Sequence, residues 1–277
     1  MISAKLRAMN QRAWAGLLVG GLFSTLLGCG TGSDAAGAGG GAGAGADAGA
    51  NSSGAGGGSS AGESSAGVGG TCVDGVTNPP VAALISDFSD AAPDSANPGE
   101  YLYGGGDATR VQGGTKRFSN PASTPGTLNV SEGALGFSAT VSAPDAAAGA
   151  NHFPFNGFVL YFEGPACVDG SAYTGVSFAL AGDLGTCTLL FSFAYAEDLA
   201  AGVEPTRGLC TDSNCYPSEY AIDISTTSVN FADAQSVPGM PVSPVNTEKL
   251  VGVQWELVPS GDTACTAAFT VADVKFQ

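Results

Sequence analysis

Beyond about residue 80, apolar and polar residues alternate in short runs. "CTLLFSFAY" puts Cys187, Leu189, Phe191, Phe193 and Tyr195 on one side, with Thr188, Ser192 and Ala194 on the other. "VGVQWEL" groups Val251, Val253, Trp255 and Leu257 against Gly252, Gln254 and Glu256. "AYTGVSFAL" gathers Val176, Phe178 and Leu180, and "FNGFVLYF", "GALGFSATV", "AALISDF", "YAIDIS" and "AAFTVADVKF" behave alike. Successive side chains of a strand point to opposite faces, so a period of two predicts strands with one buried face. Turn residues separate the runs and long helical patterns are absent. Many short strands punctuated in this way predict an all-β fold, an antiparallel sandwich. Trp255 aligns with three aliphatic residues and is expected in the core rather than as a ligand platform.

The first part of the chain reads differently. Lys5, Arg7 and Arg12 precede an uncharged apolar run, Trp14–Leu27. A spanning helix needs about 20 apolar residues. The run is shorter and has the basic flank of a signal-peptide core. Leu26-Leu27-Gly28-Cys29 resembles the lipobox of bacterial lipoproteins. The resemblance implies that residues 1–28 are a signal peptide and that Cys29 is acylated at its sulfur and its new amino group. Each buried methylene of such chains contributes about 0.8 kcal/mol, so several chains anchor a protein firmly to a membrane. Gly30 rather than Asp follows the cysteine. By the sorting rule for such lipoproteins, this implies the outer membrane of a Gram-negative cell envelope, on its periplasmic or surface side. From Gly30 to Thr71 the chain is nearly all Gly, Ala and Ser, with Asp34, Asp47 and Glu63 as its charges. Such a segment has too little apolar surface to offset its ordering entropy. Residues 29–71 are therefore expected to form a disordered tether, with an end-to-end distance of roughly 35 Å, and residues 72–277 the folded domain.

Charge narrows the ligands. The chain has 9 basic and 25 acidic residues, a net charge of −16. Three of each sign precede Cys72, so the domain carries the whole excess. That excludes nucleic acid, whose phosphates require cations, and docking on anionic headgroups. It suits solubility, Ca²⁺ or neutral ligands. Six of the seven cysteines follow Cys29. An even number in an exported chain predicts disulfides. No CxxC is present and His152 is the single histidine, so a Cys/His metal site is disfavoured. Cys210 and Cys215 can close a local loop. Cys187 and Cys265 each open a strand-like run and are expected to pair, leaving Cys72 with Cys167.

The order of the runs adds a resemblance. "LISDFSD" opens the domain, "AYTGVSFALAGD" lies mid-way, and "GVQWEL" precedes a closing "FTVADVKF". This resembles carbohydrate-binding-module-like domains of the galactose-binding jelly-roll type, particularly the family 11-like modules. The resemblance implies a jelly roll with its first and last strands side by side. Carboxylates on those strands can meet at one hard cation, and Ca²⁺ takes six to eight oxygen ligands. Asp87 and Asp273, with Asp90 as a third, are the candidates for a structural Ca²⁺ site.

Sugar recognition needs aromatic faces and hydrogen-bonding groups in a groove. If the aliphatic sides form the core, the opposite side offers Gln254 and Glu256 to sugar hydroxyls. Tyr103, Tyr195 and Tyr216 are candidates to stack on sugar rings. Glu197 and Asp198, at the end of a strand, are candidates for the rim. An enzyme is disfavoured, because no GxSxG elbow accompanies His152 and no pair of carboxyls stands out. "GGGDATRVQGG" lacks the lysine and the setting of a phosphate loop. The resulting expectation is a monomeric, membrane-anchored, non-catalytic module that binds a polysaccharide or other glycan. A structural or adhesive lipoprotein with a protein partner is the alternative, and a glycoside hydrolase the third.

Overall fold

The structure, a computed structural model, describes residues 71–277 except 76, 79, 81, 106–110, 121–122, 145–153, 163–165, 203, 212–214, 216 and 234–243. Its strands are β1 Thr77–Asn78, β2 Leu84–Ser86, β3 Ala92–Pro93, β4 Tyr101–Tyr103, β5 Gly113–Ser119, β6 Thr127–Ser131, β7 Ala134–Val141 and β8 Asn156–Phe162. They continue as β9 Cys167–Val168, β10 Gly175–Asp183, β11 Cys187–Tyr195, β12 Glu219–Ile222, β13 Ser228–Asn230, β14 Leu250–Pro259 and β15 Cys265–Phe276. Three single 3₁₀ turns are the helical elements among the described residues.

The strands form a jelly-roll sandwich of two sheets. The nine-stranded sheet runs β1-β9-β14-β8-β5-β4-β3, with β11 also on β14 and β12 on β11. The six-stranded sheet runs β13-β10-β15-β7-β6, with β2 on β15. All pairings between the long strands are antiparallel. The core lies between the sheets. Phe158, Leu160 and Phe162 of β8, Leu189, Phe191 and Phe193 of β11 and Val253, Trp255 and Leu257 of β14 face it from one side. Val176 and Phe178 of β10, Leu135 and Phe137 of β7 and Phe269, Val271 and Phe276 of β15 face it from the other. Trp255 is fully buried, stacked on Phe158 at 5.3 Å and edge-on to Phe178 and Phe191 at 5.5 and 5.3 Å. Such pairs add about 0.5–1.5 kcal/mol each beyond burial.

One residue leaves the face that the alternation assigns to it. Ala194 pairs with Gly252 but Tyr195 pairs with Leu250, so Val251 is the extra residue of a bulge. A bulge turns the chain by one position and reverses the side that follows. Val251 accordingly joins a second, smaller cluster with Cys72, Cys167, Ala194 and Ala196, not the main core.

The three disulfides are Cys72–Cys167, Cys187–Cys265 and Cys210–Cys215, with Cα separations of 4.7, 5.3 and 5.6 Å. Cys187 lies on β11 and Cys265 on β15, so that bond ties the two sheets together. Near the start of the domain, Phe88 has φ +54° and is buried, edge-on to Tyr103 at 6.4 Å. A bulky residue with positive φ is strained and needs support. Ser86 Oγ accepts from the Phe88 N–H at 3.0 Å, and Asp87 Oδ1 accepts from the Ser89 N–H at 3.1 Å.

Candidate ligand cleft on the outer face of the nine-stranded sheet

The cross-strand register places the outward side chains in rows. One row holds Lys116, Val159, Gln254, Ser192 and Glu219. The next holds Phe118, Gly157, Glu256, Leu190 and Ala221. On the other side of the first lies Leu102, Gly114, Tyr161, Gly252 and Ala194. Tyr161 is the aromatic residue of that third row, and its two cross-strand neighbours are glycines. Directly opposed Cβ atoms lie only about 4.5–5.5 Å apart. Glycine at 114 and 252 therefore leaves space on both sides of the ring.

A loop covers part of this row. After β11 the chain makes a 3₁₀ turn, Ala196–Asp198, and returns along itself. The Cys210 N–H donates to Leu199 O at 3.0 Å and the Leu209 N–H to Ala196 O at 2.7 Å. Within the loop the Gly208 N–H donates to Glu204 O at 2.7 Å. This folding brings Glu204 and Arg207 over the sheet. The Arg207 guanidinium lies 4.7 Å from the Tyr161 ring centroid and Lys116 Nζ lies 6.0 Å from it. Cations at such distances are attracted by the ring quadrupole. Glu204 is buried and accepts from Lys116 Nζ, and its other oxygen is 3.5 Å from an Arg207 nitrogen. Burial, and then the Glu204 carboxylate, push the Tyr161 phenol above its ordinary pKa.

These groups line an open cleft of about 760 Å³ that extends to Leu102 and the Asp94–Pro98 segment. The opposite wall is held by Glu100. Its Oε1 accepts from the Arg117 N–H at 3.0 Å and from Arg117 Nε at 2.8 Å, and its Oε2 accepts from Thr115 Oγ1 at 2.8 Å. Arg117 also donates to Gly126 O and Pro98 O, both at 3.1 Å. All three guanidinium nitrogens are thus committed to the wall. Further along the sheet, Glu219 and Glu256 stand diagonally across β11. Burial raises the Glu219 carboxyl to about 7. Burial, and then the charge of Glu219, raise Glu256 well above its usual range.

The residues expected from sequence are only partly brought together. Gln254 and Glu256 lie on the outer face as the alternation requires, half-buried. Tyr103 borders the cleft but its ring is buried, and Tyr195 lies away from it, so neither offers an open face to a ligand, which corrects that expectation. Both are buried in the main core. The Tyr103 hydroxyl donates to Tyr161 O at 2.7 Å, inside the sandwich edge. Tyr195 lies on the inward side of β11, where burial and the neighbouring Asp198 carboxylate raise its phenol. Glu197 accepts from Asn246 Nδ2 and pairs with Lys249, both at 3.0 Å, and so ties the turn after β11 to the approach of β14. The Asp198 carboxyl is raised, first by burial. Tyr216 and Cys29 lie outside the described residues. Tyr161 was legible in "FVLYF", being out of phase with Phe158, Leu160 and Phe162. Glu204 and Arg207 carried no periodic signal, because an irregular loop places them.

For the expected Ca²⁺ site, β2 and β15 do lie side by side, with Ser86 opposite Val274. Asp87 uses Oδ1 on the Ser89 N–H and hydroxyl, at 3.1 and 2.7 Å. Asp273 is exposed at φ +52° and lines a separate hollow with Ser177 and Lys275. Among the described residues no three His, Cys, Asp or Glu side chains converge as a ligand set.

Comparison with known proteins adds little to this geometry. No protein-family model matches the chain, and no curated protein matches it. One solved structure similar to the chain is CtCBM11. It was determined in solution in a study of its structure, dynamics and binding. Identity is 12%, over 68% of this chain and 93% of that one, with a TM-score of 0.32. A likeness of that size carries no argument about ligand or activity, which rest on the site itself.

Proposed function

We propose that the domain is a glycan-binding module, held to a bacterial cell envelope through lipidated Cys29 and the Gly/Ala/Ser tether. The observation that carries this reading is Tyr161, a ring on the outer face of a sheet with glycine on each side of it, at the floor of a cleft bearing Lys116, Glu204 and Arg207. An aromatic face takes the C–H patch of a sugar ring, and the charged and amide groups around it take hydroxyls. The test is retention of the full-length, detergent-solubilised protein on a panel of immobilised polysaccharides. Tyr161→Ala is expected to weaken retention at least tenfold, about 1.4 kcal/mol, while the far-UV spectrum stays that of wild type. Repeating the panel in EDTA asks whether an ion contributes. A panel on which nothing is retained would sink this reading and favour a structural or adhesive role with a protein partner.

Glu219 and Glu256 support a second reading. Glu219 opposite Ser192 and Glu256 opposite Leu190 put two carboxyls diagonally across β11, and glycoside hydrolysis works with a pair of carboxyls. This reading requires release of reducing ends from a bound polysaccharide, abolished by both Glu219→Gln and Glu256→Gln. Binding without release would leave the module non-catalytic.

A further inference from the structure

We infer that the cleft takes an acidic sugar, its Tyr161 floor meeting the ring and Arg207 and Lys116 meeting a carboxylate on it. This rests on the glycan reading above and names the class of glycan.

Only six of the chain's nine basic residues lie in the acidic domain, and three of them, Lys116, Arg117 and Arg207, line this one cleft. Their roles differ. Arg117 donates from each of its three guanidinium nitrogens to Glu100 and two carbonyls, so it belongs to the wall. Lys116 and Arg207 share the single carboxylate of Glu204. The third acid of the lining, Asp94, turns inward on its own loop, accepting from the Ala96 N–H at 2.8 Å and Asn97 Nδ2 at 2.7 Å. The lining as a whole is balanced, three basic against three acidic side chains, but the groups placed at the Tyr161 ring are the two cations Lys116 and Arg207 with the one carboxylate of Glu204.

The donor count agrees. Arg207 Nε is buried and has no hydrogen-bond partner. A buried donor without a partner is costly, and a group that supplies an acceptor removes that cost. A guanidinium presents a planar fork suited to a carboxylate. Lys116, with its side chain 47% exposed, is open to the same anion. The chemistry on one wall of the cleft is therefore that of a uronic acid residue: a pyranose face for Tyr161 and a carboxylate for the two cations.

The experiment uses the full-length protein in detergent and isothermal titration. The probes are polygalacturonate, alginate, glucuronoxylan and hyaluronan, each native and carboxyl-reduced, beside neutral glucan, xylan and galactan. Carboxyl reduction removes the charge and keeps the sugar backbone, so the comparison needs no variant. The expected result is at least tenfold tighter binding of a native uronate polymer than of its reduced form, with the difference abolished in Arg207→Gln. Equal binding of native and reduced polymers, or binding of neutral polymers alone, would overturn the acidic-sugar inference and leave the glycan reading standing. Binding of none would overturn both.

Discussion

At the scale of single residues, the clearest electrostatic feature is the pair of glutamates standing diagonally across β11, Glu219 and Glu256. Both carboxyls are pushed up, Glu219 to about 7 from 4.5. A carboxyl whose folded-state pKa lies above its unfolded value stabilises the fold while protonated. That stabilisation is complete below about pH 4.5 and is lost as pH rises through about 7. Thermal stability is therefore expected to fall between pH 5 and pH 8. Glu219→Gln should flatten that fall and be more stable than wild type at pH 8 by on the order of 2 kcal/mol, as read by denaturant melts across pH. A wild-type profile that rises over this range would contradict the assignment. Residue identity alone placed Gln254 and Glu256 on the outer face, because alternation fixes the side of a strand. It also put Tyr195 in phase with Leu189, Phe191 and Phe193, the side that the structure buries, so the ligand expectation at Tyr195 ran against the alternation, while Tyr103 near a strand end was left unassigned. Both tyrosines are in the core.

At the scale of elements, the cleft depends on two pieces of irregular chain held against regular strands. The Asp94–Glu100 segment is clamped to β5 by the Glu100–Arg117 contacts. The segment that follows β11 is folded over Tyr161 and closed near its end by Cys210–Cys215. Removing one partner of a buried ion pair leaves the other uncompensated. Glu100→Ala is expected to cost about 3 kcal/mol, measured by urea unfolding. It should also weaken any ligand of the cleft by loosening one wall. Loss of ligand with unchanged stability would mean that Glu100 acts on the ligand directly rather than through the wall. The strands were legible from their period of two, including β8, β11, β14 and β15. The bulge at Val251 was not. One inserted residue leaves the apolar composition of "VGVQWEL" unchanged, and its effect is set by the partner strand.

For the whole molecule, Cys187–Cys265 is the covalent link between the two sheets. It closes 78 residues of chain. By loop-closure entropy such a bridge is worth about 4 kcal/mol, so Cys187→Ala with Cys265→Ala should lower stability by about that amount in denaturant melts. The proposed attachment to the membrane is tested separately, at Cys29. Cys29→Ser is expected to release the protein from the membrane fraction, and persistence there would contradict lipidation at Cys29. From its own pattern, the sequence determined the all-β class and the buried face of the long strands up to the bulge at Val251, while the cysteine pairing it suggested was one of fifteen and was fixed by the fold. The face follows from a local rule, since successive side chains of a strand point to opposite sides. Only the tertiary structure decided that Arg207 lies over the Tyr161 ring. It also decided that Lys116 and Arg207 share one carboxylate, and that two distant glutamates stand diagonally across β11. These depend on which strands become neighbours and on where a loop folds back, and no periodicity along the chain encodes either.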